Sequence, residues 1–438
     1  MKQKRINIIT MGCSKNLVDS ERLAYQFSCL NYRLVLDQEI EPSDIVVVNT
    51  CGFIADAKEE SIQMILQLTE MKKKGIIEQV YVIGCLSERY KDVLEKEIPL
   101  VDGYFGKFDW TNLLSYFGHQ FNEEKKDRRI ISTPSHYAYI KIAEGCDRHC
   151  AYCAIPLMTG KYTSRPIEDI LSEVRYLVTQ GVKEFQVIAQ EITFYGLDLY
   201  HRPSIAELIR RMAEIDGVEW IRLHYAYPSD FPSDLLDVIR ETPNVCKYLD
   251  LALQHISTPI LERMRRRVTK EETISLIKEI RDKVPGICLR TTLMVGFPGE
   301  TEEDFNELLD FVRWAHFDRM GAFMYSEEEG TYAAQKYKDD IPQEIKQQRL
   351  DKIMAVQQII SSEIAEAKKG QILRVIIDKK EGEWFIGRTE YDSPDVDGEV
   401  LIHQSNGNLN IGSFYQIEIT SSDEFDLYGT VVKSGEQR

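Results

Sequence analysis

Short apolar runs that each lead into a cysteine recur three times in the first hundred residues, and a helical pattern follows each of them. Residues 6–10 lead to Cys13, residues 45–48 to Cys51 and residues 80–83 to Cys85. Strands alternating with helices require crossover connections and therefore parallel pairing, and short apolar strands suit burial on both faces. In an open parallel sheet the loops after the strand C-termini share one edge, where ligands bind. The three cysteines, 38 and 34 positions apart in sequence, are therefore expected to converge. Taken singly, each is also compatible with a small buried residue filling a strand end. Three at equivalent places point to a metal site. The helix after Cys51 is the best defined of this part. Asp56 is placed to cap it, Ile62, Ile65, Leu66 and Thr69 repeat on one face, and Lys72 to Lys74 with Gly75 close it.

At 438 residues the chain exceeds one core. A charge run at 122–129 reads as a linker, and strand and helix patterns alternate again beyond it. Strands are expected at 137–143, 184–189, 220–227, 248–254, 287–295 and 320–325, which suits a partial or full barrel of parallel strands. From 371 onward five short strands separated by turn residues replace the alternation: 372–377, 384–388, 399–403, 414–420 and 429–433. That pattern predicts a small closed β-barrel used as a binding module. The expected organisation is an α/β domain over 1–125, a barrel over 130–370 and an all-β module over 371–438.

The cysteine count bears on compartment. Nine cysteines is an odd number, and the first ten residues read as a basic surface leader into a strand rather than a secretion signal. A cytoplasmic chain keeps its thiols reduced, so clustered cysteines mean metal or catalysis before disulfides. No run of about 18 apolar residues is present, so no membrane span is expected. The net charge of −17 disfavours broad binding to nucleic acid and favours a cationic partner.

The segment Glu144-Gly145-Cys146-Asp147-Arg148-His149-Cys150-Ala151-Tyr152-Cys153 follows the first strand of the middle region. Its C-x3-C-x2-C spacing brings three thiolates within reach of one cluster. Three protein ligands on a four-iron cluster leave one iron open to substrate. The alternative is structural zinc with His149 as fourth ligand, although such sites usually pair their ligands two by two.

This motif, with an aromatic before its last cysteine, resembles the radical S-adenosylmethionine superfamily. The resemblance implies S-adenosylmethionine bound to the open iron and split by an electron into methionine and a 5′-deoxyadenosyl radical. It also implies Tyr152 against the adenine, and Gln190, Glu191 and Gly296 as further cofactor contacts, with no catalytic residue assigned beyond the cluster ligands. Glu191 departs from the aspartate common at that place. The segments around Cys13, Cys51 and Cys85, together with Ser164-Arg165-Pro166, Leu253-Gln254-His255 and Val295-Gly296-Phe297-Pro298-Gly299-Glu300, are similar to methylthiotransferases. The final module resembles their TRAM domain. In that family Cys13, Cys51 and Cys85 would hold a second four-iron cluster that handles the inserted sulfur, making two 4Fe-4S clusters. An electron donor would be required.

Two branches of the family modify either an adenosine of transfer RNA or an aspartate of small-subunit ribosomal protein twelve. The wording Gly12-Cys13-Ser14-Lys15-Asn16-Leu17-Val18-Asp19-Ser20-Glu21, Cys51-Gly52-Phe53-Ile54 and His224-Tyr225-Ala226-Tyr227-Pro228 resembles the ribosomal-protein branch. Residues 371–438 carry 6 Lys and Arg against 13 Asp and Glu, a net −7. An RNA-gripping module should be basic. Glu390, Asp392, Asp395, Asp397 and Glu399 instead suit a basic protein loop, or else form a solvated face. No direct sequence-specific binding of nucleic acid is expected. Cys29, Cys246 and Cys288 read as packing residues. Arg263, Arg265, Arg266 and Arg267 read as a solvated helix end, and Gln254 and His255 as strand-end residues on the active side of the barrel.

Overall fold

The computed structural model describes residues 4–30, 32–36 and 42–432. Three sheets organise the chain. The first is fully parallel, in the order β2-β1-β3-β4-β5, with β1 (Arg5–Thr10), β2 (Arg33–Leu36), β3 (Ser43–Thr50), β4 (Ile77–Gly84) and β5 (Gly103–Tyr104). Strands β1, β3 and β4 are neighbours whose C-terminal ends align, Thr10 opposite Asn49, Asn49 opposite Ile83 and Thr50 opposite Gly84. The helix Ala55–Lys73 follows β3. Its N-cap is Ile54, so Asp56 sits within the first turn, where its charge meets the helix dipole without capping a backbone N–H. Leu68 takes the inward position expected of Leu66: Ile65, Leu68 and Thr69 are buried and Leu66 is exposed.

All six expected middle strands form. They are β6 (Tyr137–Lys141), β9 (Glu184–Ile188), β10 (Trp220–Ala226), β11 (Val245–Gln254), β12 (Cys288–Val295) and β13 (Arg319–Met324), paired in parallel in the order β13-β12-β11-β10-β9-β6. The outer strands β6 and β13 are not joined, so the barrel is partial. The first strand is shorter than its apolar run. It stops at Lys141, and β7 (Ala143–Glu144) turns away to pair antiparallel with β8 (Thr163–Ser164). The last five strands, β14 (Ile372–Glu381), β15 (Trp384–Thr389), β16 (Val400–His403), β17 (Phe414–Ser422) and β18 (Leu427–Val431), close into a barrel. The strand expected to reach Lys433 ends at Val431, and Lys433 lies outside the described residues, as do Met1 to Gln3 of the expected leader.

Buried charges join these units. Glu173, fully buried on the helix Ile167–Thr179, receives Arg22 from the first domain at 2.9 Å and Arg165 at 2.7 Å. Arg129 Nε also lies 2.9 Å away, out of line for a hydrogen bond. Burial alone would raise this carboxyl. Arg165, Arg22 and Arg129 together overcome it and hold the carboxyl down to about 2. At the opposite end, Glu184 opens β9 fully buried. It binds Arg388 of the small barrel at 2.7 Å and Arg222 of β10 at 3.1 Å. The small barrel therefore docks at the N-terminal ends of the parallel strands, opposite the cysteine loops.

Replacing Glu173 by Gln is expected to cost about 3–5 kcal/mol, because it strands buried guanidinium charge. The native contribution should be fully present above about pH 4.5, the ordinary carboxyl range, and disappear as pH falls towards about 2. Urea unfolding of both proteins between pH 3 and pH 7 measures this, and the gap between them should narrow at the acid end.

Candidate active site

Cys146, Cys150 and Cys153 lie on the loop after β6 and β7, pinned by backbone bonds. Cys146 N donates to Gly160 O at 3.3 Å, Ala151 N to Met264 O at 2.9 Å and Cys153 N to Cys150 O at 3.1 Å. Gly145 has φ +71, and a Cβ there would strike the Lys161 carbonyl, so the loop enters only through glycine. Burial pushes the Cys146 thiol up to about 11, and Cys150 beside it adds to the rise. Burial and Cys150 raise Cys153 further. Crowded thiols that disfavour one another's ionisation are a donor set that a cationic metal cluster would relieve.

Arg266 overturns the reading of the arginine run as a solvated helix end. It is buried and donates to Cys150 Sγ and Tyr152 Oη, each at 3.3 Å. The Tyr227 ring is sandwiched between Arg266 at 3.9 Å and Arg148 at 4.0 Å, and its hydroxyl donates to Arg266 O at 2.8 Å. Arg265 and Arg267 are exposed as expected, and Arg263 Nε donates to Pro298 O at 3.0 Å. No spacing rule marks Arg266, because its contacts depend on how the turn after the helix Thr258–Arg263 folds back on the cysteine loop.

The expected cofactor contacts fall around this loop. Tyr152 meets Phe297 edge to face, with ring centroids 6.5 Å apart. Gln190 is half-buried just past the end of β9. The Glu191 carboxylate is already engaged by Arg148 Nε at 3.0 Å and by Thr193, so it anchors the cysteine loop. Gly296 has φ +72, and a Cβ there would lie 2.4 Å from Lys346 Cγ. The close approach that demands glycine is therefore made by the Lys346 stem. The Glu300 carboxylate accepts from the N–H groups of Gly296 and Phe297. His255 and Gln254 are buried, and His255 Nδ1 accepts from Ser257 N at 3.0 Å.

The amino-terminal cysteines stand after three adjacent strands. Cys13 is the N-cap of the helix Ser14–Ser28, Cys51 follows β3, and Cys85 opens the helix Cys85–Glu97. Glycines let their loops close on one another. A Cβ on Gly12 would lie 2.6 Å from Cys51 Cβ, and one on Gly52 would lie 2.8 Å from the Cys85 backbone. Asn16 ties the three loops: its amide donates to Met11 O at 3.0 Å and Thr50 O at 3.1 Å, and Cys85 Sγ lies 3.9 Å from its Oδ1. Burial pushes Cys85 up to about 12, with Cys13 and Cys51 adding to it. Burial would also raise Cys13, but Lys15, nearby backbone N–H groups and Lys107 together lower it. Among the described residues no three His, Cys, Asp or Glu side chains close on a single metal ion. Tetrahedral zinc would hold its sulfurs within about 4 Å of one another, and His149 is exposed at a left-handed position, φ 51. Both triads are all-thiol donor sets, the ligand type that iron–sulfur clusters take.

The two triads share a wall. Cys85 packs in one apolar cluster with Ala154 and Met158, one and five residues after Cys153. A cavity of about 600 Å³ lies between the first domain, the partial barrel and the small barrel. Cys13 and Ser14 line one end, Tyr139, His224, Tyr225 and Arg290 line its length, and Asp395 and Val396 of the small barrel line the other end.

The remaining cysteines and acids divide. Cys246 and Cys288 are buried in a cluster with Trp220 and Ile376, as packing residues should be. Cys29 is instead exposed at a helix C-cap. Asp392 binds Arg319 at 2.5 Å, Asp397 accepts from Tyr248 Oη at 2.9 Å, and Glu390 accepts from Lys247 N at 3.3 Å. Four of the five acids expected to face a basic loop thus meet the partial barrel, since Asp395, exposed at the cavity rim, also accepts from Tyr137 Oη at 3.3 Å.

Residues 5–106 match the uncharacterized protein family UPF0004, residues 140–312 the radical SAM superfamily and residues 370–432 the TRAM domain. A solved radical S-adenosylmethionine methyltransferase, TsrM from Kitasatospora setae, superposes with a TM-score of 0.56 at 16% identity, over 76% of this chain and 77% of that one. That likeness concerns the fold. Fold and site define a radical S-adenosylmethionine enzyme with an additional amino-terminal cysteine domain and a TRAM barrel. The chain is 61% identical, over 100% of both chains, to ribosomal protein uS12 methylthiotransferase RimO of Bacteroides thetaiotaomicron. It is 58% identical to the protein of that name from Porphyromonas gingivalis, over 99% of this chain and 100% of that one. It belongs to the RimO family of radical S-adenosylmethionine methylthiotransferases. Iron–sulfur clusters and S-adenosylmethionine are the cofactors of that chemistry. No described helix is long and apolar enough to cross a membrane.

Proposed function

We propose that this chain adds a methylthio group to the β-carbon of an aspartate in ribosomal protein uS12, with Cys146, Cys150 and Cys153 holding one 4Fe-4S cluster and Cys13, Cys51 and Cys85 a second. One observation carries the reading: Cys85 of the second triad packs in one cluster with Ala154 and Met158, which lie just beyond Cys153 of the first. When bound, the clusters and S-adenosylmethionine supply radical hydrogen abstraction and sulfur, which ordinary side chains cannot. The protein supplies the rest. Arg266 balances thiolate charge at Cys150, and Tyr152 with the loop at Gly296 forms the adenine side of the cofactor site. Gln190 stands at its edge, and Glu191 contributes by fixing Arg148. The barrel interior shields the reacting carbon from water, and the small barrel presents Asp395 to a basic protein loop. Such a protein works in the cytoplasm, where its nine free cysteines stay reduced and an electron donor is at hand. The domain limits that follow are 1–125 for the second cluster, 130–370 for the radical reaction and 371–438 for substrate recognition.

Coexpression with uS12 followed by mass spectrometry tests the reading. The expected result is a gain equal to replacing one hydrogen by a methylthio group, located on an aspartate. An unmodified uS12 from cells whose enzyme carries full iron would overturn it.

A further inference from the structure

We propose that Glu328 is a positioning residue: through it, a strap of residues 325–333 sets how Cys51 and Cys85 stand relative to the loop of Cys146, Cys150 and Cys153. The inference rests on the two-triad reading above and names the residue that fixes their spacing. The strap follows β13. Tyr325 N donates to Val295 O at 2.8 Å, one residue before Gly296, and Ala333 N donates to Ala151 O at 2.7 Å, between Cys150 and Cys153. Both ends of the strap are therefore fastened beside the radical site. Its middle reaches the first domain. Glu328, only 4% exposed, takes Lys58 at 2.7 Å and Arg89 at 3.4 Å on one carboxylate oxygen. Lys58 stands near the start of the helix that follows Cys51, and Arg89 near the start of the helix that Cys85 opens.

What singles out Glu328 is that the other charged ties between the domains bypass these two helices. The helix begun by Cys13 is held by Arg22 on Glu173 at 2.9 Å and by Asp19 on Lys141. Among the described residues, Lys58 and Arg89 make the only ion pairs from the helices after Cys51 and Cys85 to the middle domain, and both end on Glu328. Adjacent bonds run the same way: Arg89 also donates to Glu329 O, and Tyr90 Oη to Glu329 Oε2 at 3.4 Å. The Glu328 backbone is itself fixed, its carbonyl accepting from Thr331 N at 3.2 Å and Thr331 Oγ1 at 2.7 Å. Exposed ion pairs contribute little. Here one buried carboxylate serves two helices, so removing it frees both at once. Placement of this kind bears on group transfer, where an error of about 1 Å can cost about a hundredfold in rate.

The test works from both sides of the contact. Glu328→Gln alters the strap, whereas Lys58→Met/Arg89→Met leaves the strap as it is and removes its partners. Hydrogen exchange read by mass spectrometry on the metal-free proteins follows the tie without any cluster. Both variants should exchange roughly tenfold faster than wild type at the starts of the two helices, with the helix Ser14–Ser28 unchanged. After reconstitution to the wild-type iron content, both should form 5′-deoxyadenosine at close to the wild-type rate. Methylthiolated uS12 per 5′-deoxyadenosine should fall about tenfold to a hundredfold. Wild-type exchange in both variants overturns the proposal. So does a fall in this ratio in Glu328→Gln alone, which would confine the strap to its own side. Loss of 5′-deoxyadenosine in step with product in Lys58→Met/Arg89→Met overturns it as well, because general destabilisation would then explain both. Failure of the aspartate reading shows separately, as a wild-type enzyme that leaves uS12 unmodified, and the exchange result then decides the tie by itself.

Discussion

Replacing Cys146, Cys150 and Cys153 together by alanine is expected to lower reconstituted iron from about eight to about four per chain, the loss of one 4Fe-4S cluster of two. It should also abolish formation of 5′-deoxyadenosine from S-adenosylmethionine. The expectation follows from the separation of the two donor sets by fold. One triad lies on a loop after β6 and the other on the edge of a different sheet. The loop should survive the change, because its shape is held by backbone bonds from Cys146 to Gly160 and from Ala151 to Met264 rather than by sulfur. Two side effects oppose each other. Losing the Cys146 and Cys153 thiols, both hard to ionise, relieves a burial cost, whereas Arg266 loses its Cys150 partner and keeps Tyr152. The fold is therefore expected to persist, with circular dichroism unchanged. Iron falling from about four to none would instead show that Cys13, Cys51 and Cys85 hold no cluster, and the sulfur-insertion reading would end there.

Much of this arrangement was legible in the sequence, for identifiable reasons. Short continuous apolar runs leading to cysteine report on the local chain, and alternation with helices makes the sheet parallel, which brings the ends of its strands to one edge. The six middle strands and five final strands were legible for the same reason. What escaped depends on contacts between distant residues. Arg266 looked like one of four solvated arginines, and only the approach of Tyr227 and Cys150 distinguishes it from Arg265. The bond between Glu191 and Arg148, 43 residues earlier, is likewise invisible to local pattern. At Gly296 the group that leaves no room for a Cβ is Lys346, from a helix fifty residues on, which no local pattern announces. The acids of the last module were counted as a surface, yet Asp392 and Asp397 are buried against the partial barrel. Charge counts carry no information about which face a residue occupies, and so they missed the docking interface.

The complementary change, Cys13→Ala/Cys51→Ala/Cys85→Ala, should separate radical formation from sulfur transfer. Iron is again expected to fall from about eight to about four, but 5′-deoxyadenosine should still form, because Arg266, Tyr152 and the Cys146 loop are untouched. Methylthiolation of uS12 should fall below detection, since no ordinary side chain supplies the sulfur. Packing allows this selectivity. The three amino-terminal loops are fixed by Asn16, whose amide bonds to Met11 O and Thr50 O do not involve a thiol. Gly12 and Gly52 keep the loops close whatever stands at the cysteine positions. The shared wall limits the separation. Cys85 touches Ala154 and Met158, so its truncation is expected to slow 5′-deoxyadenosine formation modestly without stopping it. Abolition of both activities would mean that the amino-terminal triad holds the radical site in shape rather than supplying sulfur. Persistence of methylthiolation would mean that the sulfur comes from elsewhere. A mass spectrum of uS12 and a chromatogram of 5′-deoxyadenosine from the same incubation distinguish the three outcomes.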